Sequence, residues 1–155
     1  MGPYWFEDAN GKAVTVNGEQ HHKVLRRFHT DLAHLLSPNQ LRLTWLIQDG
    51  APPHNAGETI NLLHQLFGNR VVSLGKAHEW ASDSPDLNPL DFFFLGAAKG
   101  QVYANKPRTL AVLKQEVEDH HQATTPATCR RVVENFGVRL KACLNRGGAP
   151  IGDVN

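Results

Sequence analysis

The run Leu41 to Gln48 constrains the fold more than any other part of this chain. Leu41, Leu43, Trp45 and Ile47 alternate with Arg42, Thr44, Leu46 and Gln48, a period of two whose second face is itself partly apolar. A strand of that kind is covered on both sides, which is the lot of strands in sheets flanked by helices. It runs into Asp49-Gly50-Ala51-Pro52-Pro53-His54, so a carboxylate stands at its carboxyl end. On the amino-terminal side, Asn17-Gly18-Glu19-Gln20 has the spacing of a capping box. Val24, Leu25, Phe28, Leu32, Leu35 and Leu36 then recur with helical period until Ser37-Pro38-Asn39 stops them. On the other side, the stretch from Asn55 to Phe67 carries Ile60, Leu63 and Phe67 on one helical face with Leu62 and Leu66 beside it. Arg70 to Leu74 reads as another short strand. With a hairpin at the start (Tyr4-Trp5-Phe6, an Asn10-Gly11 turn, then Ala13 to Val16), strands and helices alternate, and the chain falls in the α/β class.

The second half opens with an irregular loop containing Gly75, Trp80, Ser82, Ser84 and Pro85. Asn88-Pro89 then supplies a helix cap and a proline at the first helical position, which places Asp91 in the first turn. Capping alone explains an acid there, because the positive end of the helix dipole favours it; the same field keeps a metal ligand ionised. A helix from Leu110 with Leu113 and Val117 follows. Thr125-Pro126 starts a last one bearing Val132, Val133, Phe136, Leu140 and Leu144 and ending at Gly147-Gly148.

The 155 residues are 41% hydrophobic, enough for one domain with a core. No apolar run approaches the roughly 18 residues that cross a bilayer, and the N-terminus lacks the basic-then-apolar order of a secretion signal. The expectation is a soluble, unsecreted protein, nuclear if eukaryotic and otherwise cytoplasmic, without a membrane partner. Cys129 and Cys143 have no partners at zinc-ligand spacing and are expected as buried, reduced thiols. Sixteen basic against fifteen acidic side chains leave a net charge of +1, so any DNA contact must come from local patches.

A strand that ends in one carboxylate and a helix whose first turn carries another can aim both at one divalent cation, the arrangement that enzymes of phosphodiester chemistry use for magnesium. Gln48 to His54, the run Ser84-Pro85-Asp86-Leu87-Asn88-Pro89-Leu90-Asp91-Phe92-Phe93, and Val102-Tyr103-Ala104-Asn105-Lys106-Pro107-Arg108-Thr109-Leu110 resemble the catalytic domain of mariner-type transposases. The segments from Gly2 to Glu19 and from Arg130 to Gly148 fit it too, so the resemblance extends along essentially the whole chain. It implies a ribonuclease H-like fold, a mixed sheet flanked by helices, in which three acids hold two divalent metals (Mg2+ or Mn2+) for cleavage and transfer of DNA strands, with transposon ends and target DNA as partners. Asp49 matches the second acid of that family and Asp91 the third, with residues 50 to 90 between them. The first acid, its strand and the DNA-recognition domains would precede Gly2. The expectation is therefore an N-terminally truncated domain, inactive alone and with weak or absent metal binding, that pairs with itself or with a full-length transposase. A noncatalytic domain that binds nucleic acid or protein is the alternative, and a decayed transposon fragment is a third reading.

Other residues carry lesser expectations. Asp86 lies in the loop before the helix and ranks below Asp91 as a ligand; Glu7 and Asp8 belong to the hairpin turn. His54 can reach a phosphate or a metal-bound water, or order its own loop by a hydrogen bond. Lys99, Lys106 and Arg108, with Arg130, Arg131 and Arg139, are candidates to line a DNA groove or simply to solvate an outer face. Trp80 anchors its loop in the core or stacks on an unpaired base. His21-His22 and His120-His121 read as solvated faces, because adjacent helical residues diverge by about 100° and no third zinc ligand is spaced to join them.

Overall fold

A computed structural model describes residues 1–81 and 84–151, and the chain divides into two units, Met1–Ser82 and Asp83–Asn155. In the first, Asn17 starts helix α1 (Gly18–Leu35) as expected: its side chain accepts a hydrogen bond from the Gln20 amide at 3.0 Å, satisfying one of the donors that a helix start leaves open. Leu25 and Leu32 of α1 pack with Leu62, Leu63, Phe67 and Val71, while Phe28, Leu36, Leu41, Leu46 and Leu66 close around them. Leu35 departs from the expected face and is exposed.

The expected strand over 41–48 is mostly not a strand. Residues Pro38–Leu43 form helix α2, and only Leu46–Ile47 is extended, as β1. The reason is local: Ser37 accepts from the Gln40 amide while the Gln40 side chain accepts from the Ser37 amide. This reciprocal capping box has proline at the first position. Ser37-Pro38 thus ends one helix and begins another. Two helices follow β1, α3 (Pro52–Asn55) and α4 (Gly57–Phe67), and the chain returns as β2 (Val71–Val72), paired parallel to β1 with Leu46 opposite Val71 and Ile47 opposite Val72. Parallel pairing needs such a helical crossover, so the α/β reading holds at that level. Among the described residues the sheet is these two parallel strands, extended by a parallel bridge from Val72 to His78. The opening hairpin is a single antiparallel bridge, Glu7 to Ala13, turned by Gly11 at φ 76°.

In the second unit a 3-10 turn (Pro85–Leu87) leads to a π-helical stretch (Leu90–Leu95), then α5 (Gly96–Ala104), α6 (Leu110–Ala123) and α7 (Pro126–Asn145). Thr109 caps α6 through the Val112 amide and Thr125 caps α7 through the Thr128 amide. Gly147 and Gly148, both at positive φ, end α7, and the Gly148 amide reaches back to the Cys143 carbonyl. The expected burial of the cysteines fails: Cys129 is exposed and Cys143 half-buried, because the inward face of α7 is occupied by other residues. No helix of the described residues is long and apolar enough to cross a membrane.

Candidate active site

Asp49 leaves β1 into a loop that its own carboxylate organises. Oδ1 accepts from the Ala51 amide at 3.1 Å and contacts His54 Nδ1 at 2.7 Å, and Asn55 Nδ2 closes the turn onto the Gly50 carbonyl at 2.7 Å. Gln48, buried, fastens the loop to the sheet: its Nε2 donates to the His54 carbonyl and to Ser73 Oγ, both at 3.0 Å. From above, α1 supplies two histidines. His22 Nε2 meets Thr59 Oγ1 at 2.7 Å, and Thr59 donates to the Pro53 carbonyl. The His21 ring lies 4.5 Å from that of His54, 8% exposed, with Nε2 buried and unpaired. Burial pulls the His21 pKa down to about 4, helped by the neighbouring His54 and His22, while Gln48 and Asp49 oppose the shift. The expectation of solvated histidine faces is corrected here: His21 and His22 are packing residues that seat the Asp49 loop. No sequence signal announced that role, because it depends on α1 crossing α3 and α4.

Asp91 sits where the cap reading put it. Asn88 Oδ1 accepts from the Leu90 amide at 3.1 Å and the Asn88 carbonyl from the Asp91 and Phe92 amides at 2.9 Å. The acid is half-exposed in the first turn of the π-helical stretch, a rare conformation that recurs at functional sites. Asp86 does structural work instead. Its Oδ2 accepts from the Ile151 amide at 2.9 Å and its carbonyl from Arg139 Nε at 2.6 Å. Arg139 is 7% exposed, with its guanidinium 4.5 Å above the Phe92 ring. It is therefore no lining of a DNA groove; it ties the turn bearing Asp91 to α7.

No protein-family model and no curated protein matches the sequence. Among solved structures, the Mos1 transposase catalytic domain, determined with Raltegravir and Mn, matches with a TM-score of 0.74 over 90% of this chain and 68% of that one, at 22% identity. The chain shares the fold of a transposase catalytic domain.

On that fold, Asp49 belongs to the first unit and Asp91 to the second. Among the described residues no cluster of three or more His, Cys, Asp or Glu is gathered for a metal. The donor chemistry of the two acids nonetheless suits a hard cation: Asp49 spends Oδ1 on its loop, and Asp91 is held at a helix start with its backbone amide already satisfied. His54 Nδ1 is engaged by Asp49, which is the loop-ordering role. Lys99, Lys106 and Arg108 are exposed, as are Arg130 and Arg131. Lys106 takes a left-handed φ of 50° at the end of α5, where the chain turns into Pro107. Asp8 is consumed by its hairpin, accepting from the Asn10 and Lys12 amides at 2.9 and 3.0 Å. Trp80 is buried and anchors its loop. His120, too, is packed rather than solvated, bonded to Gln101 at 2.9 Å and against Phe94.

Proposed function

We propose that residues 1–155 are a transposase-derived domain of the three-acid, metal-dependent class, acting on DNA. The observation that carries this reading is the coincidence of two acid-bearing motifs, Asp49 after β1 and Asp91 in a capped first turn, with a fold shared with the Mos1 transposase catalytic domain. Asp49 and Asp91 each supply a carboxylate ligand for Mg2+ or Mn2+ in that chemistry. When bound, such a cation lowers the pKa of water and offsets charge on a transferring phosphate. His54 holds the Asp49 carboxylate, and Lys99, Lys106 and Arg108 contact the phosphates of transposon-end or target DNA, within a nucleus if the source is eukaryotic. Residues 1–155 supply two of three acids, so this polypeptide alone binds metal weakly and does not cut.

Titration of the purified chain with Mn2+ tests the site. Weak binding removed by either Asp49→Asn or Asp91→Asn is expected, and binding indifferent to both changes would sink it. Joining an upstream segment that ends a strand in aspartate should then confer Mn2+-dependent nicking of transposon-end DNA, lost again in Asp91→Ala. A noncatalytic interaction domain is the second reading, and the uncovered apolar face of α7 favours it.

A further inference from the structure

Helices α5 and α6 of the second unit leave a cleft between them. Ala98 and Val102, 6% and 2% exposed, line it from α5, and Leu113 and Val117, one turn apart, line it from α6. Phe94 joins them from the π-helical stretch, its ring packed against His120 and His121 with centroids 5.1 and 6.1 Å away. The hydrogen bond between Gln101 on α5 and His120 on α6, at 2.9 Å, ties one wall to the other. The cleft is therefore formed before any ligand arrives. Its volume is about 140 Å3. A drug-sized ligand takes roughly 300 Å3 or more, whereas an apolar cavity of roughly 150 Å3 accepts benzene, so one ring fits here. Water gains little in the same space, since an ordered water needs about two to four polar partners and these walls offer none.

The polar groups of the lining are two, Lys99 and Tyr103, both exposed and both on α5. Among the described residues Lys99 enters no ion pair and Tyr103 no hydrogen bond. An ammonium and a phenol both donate, and no carboxylate shares the lining with them. We infer that this cleft is a binding site for a small aromatic carboxylate, its ring between Phe94, Val102 and Val117 and its carboxylate on Lys99 Nζ and Tyr103 Oη. Charge decides the class of ligand. A carboxylate accepts from both donors, and its bond to the ammonium is stronger than a neutral one. An amine on the same ring would set two cations side by side, and an alcohol would forgo the charge-assisted bond. Volume decides the ring count, and a short methylene spacer lets the ring enter while the carboxylate stays with the exposed pair. Binding there requires neither metal nor nucleic acid, so it stands apart from the DNA contact also proposed for Lys99.

Amide NMR titration of the 155-residue chain with phenylpropionate, phenylpropanol and phenylpropylamine tests this. The acid is expected to bind with a dissociation constant of about 1 mM, in keeping with its size, and to shift the amides of Ala98, Val102 and Val117 most. The alcohol and the amine should bind about ten-fold more weakly or worse. Lys99→Glu should reverse the order, losing the acid by about ten-fold and taking the amine in its place. Because that variant gains one ligand as it loses another, lost binding is separated from lost folding. Tyr103→Phe should weaken the acid by about three-fold or more and leave the alcohol's order below the acid unchanged. No saturable binding up to about 10 mM, equal affinity for the three ligands, shifts centred away from the cleft, or a Lys99→Glu variant that still prefers the acid would each overturn the inference.

Discussion

His21 makes the stability of the first unit depend on pH. Its imidazole is held neutral by burial down to about pH 4, whereas the ordinary value is 6.5. Between those values the unfolded chain takes up a proton that the folded chain refuses. The stabilisation is therefore complete above about pH 6.5 and is lost as pH falls toward 4. Unfolding free energies from urea titrations at pH 7 and pH 4.5 should differ by about 1 to 3 kcal/mol in the wild type. In His21→Phe, which keeps an aromatic ring against His54, that difference should shrink; an unchanged acid limb would mean other groups carry it. Arg139 supports a second expectation. Arg139→Met keeps much of the packing on Phe92 but leaves the Asp86 carbonyl without its donor, which should destabilise the second unit by about 1 to 3 kcal/mol. Backbone amide exchange at Ile151 should rise in that variant, since Asp86 is its acceptor.

At the scale of elements, caps decide where the acid-bearing turn begins. Asn88 satisfies the Leu90 amide by its side chain and two further amides by its carbonyl, so Asn88→Ala should cost about 1 kcal/mol and speed hydrogen exchange at Leu90 before Asp91. The same chemistry explains the main departure of the structure from the sequence. Alternation at Leu41, Leu43, Trp45 and Ile47 is compatible with a strand, but the Ser37 and Gln40 capping box commits Pro38–Leu43 to a helix. Period alone could not settle that contest, because an eight-residue window holds few repeats of either pattern. The α1 cap and the starts of α6 at Leu110 and of α7 at Thr125-Pro126 were legible, since each rests on contacts between near neighbours.

Over the whole molecule, exposed apolar side chains include Val133, Leu140 and Leu144 on α7 and the patch of Leu43, Trp45 and Ile47, where Trp45 is 49% exposed against His78. The patch predicts sticky behaviour at high concentration. Leu43→Lys should lower light scattering at fixed concentration with a change in melting temperature of less than about 4 °C, as befits a surface site. A large loss of stability would show that Leu43 belongs to the core. What the sequence determined by itself is what local physics can write: helix starts and stops, the α/β order, the hairpin turn held by Asp8, and the two acids at element ends that a resemblance to transposases singled out. Tertiary structure alone decided that Arg139 is a buried tie rather than a DNA contact, that Asp86 holds Ile151, and that His21 and His22 seat the Asp49 loop. Those roles join residues from 33 to 65 positions apart, as the Asp86–Ile151 bond spans 65 and the His21 and His54 rings, tilted by 36°, come within 4.5 Å across 33. Neither period nor spacing along the chain encodes which distant side chain will arrive, because that depends on how the helices cross.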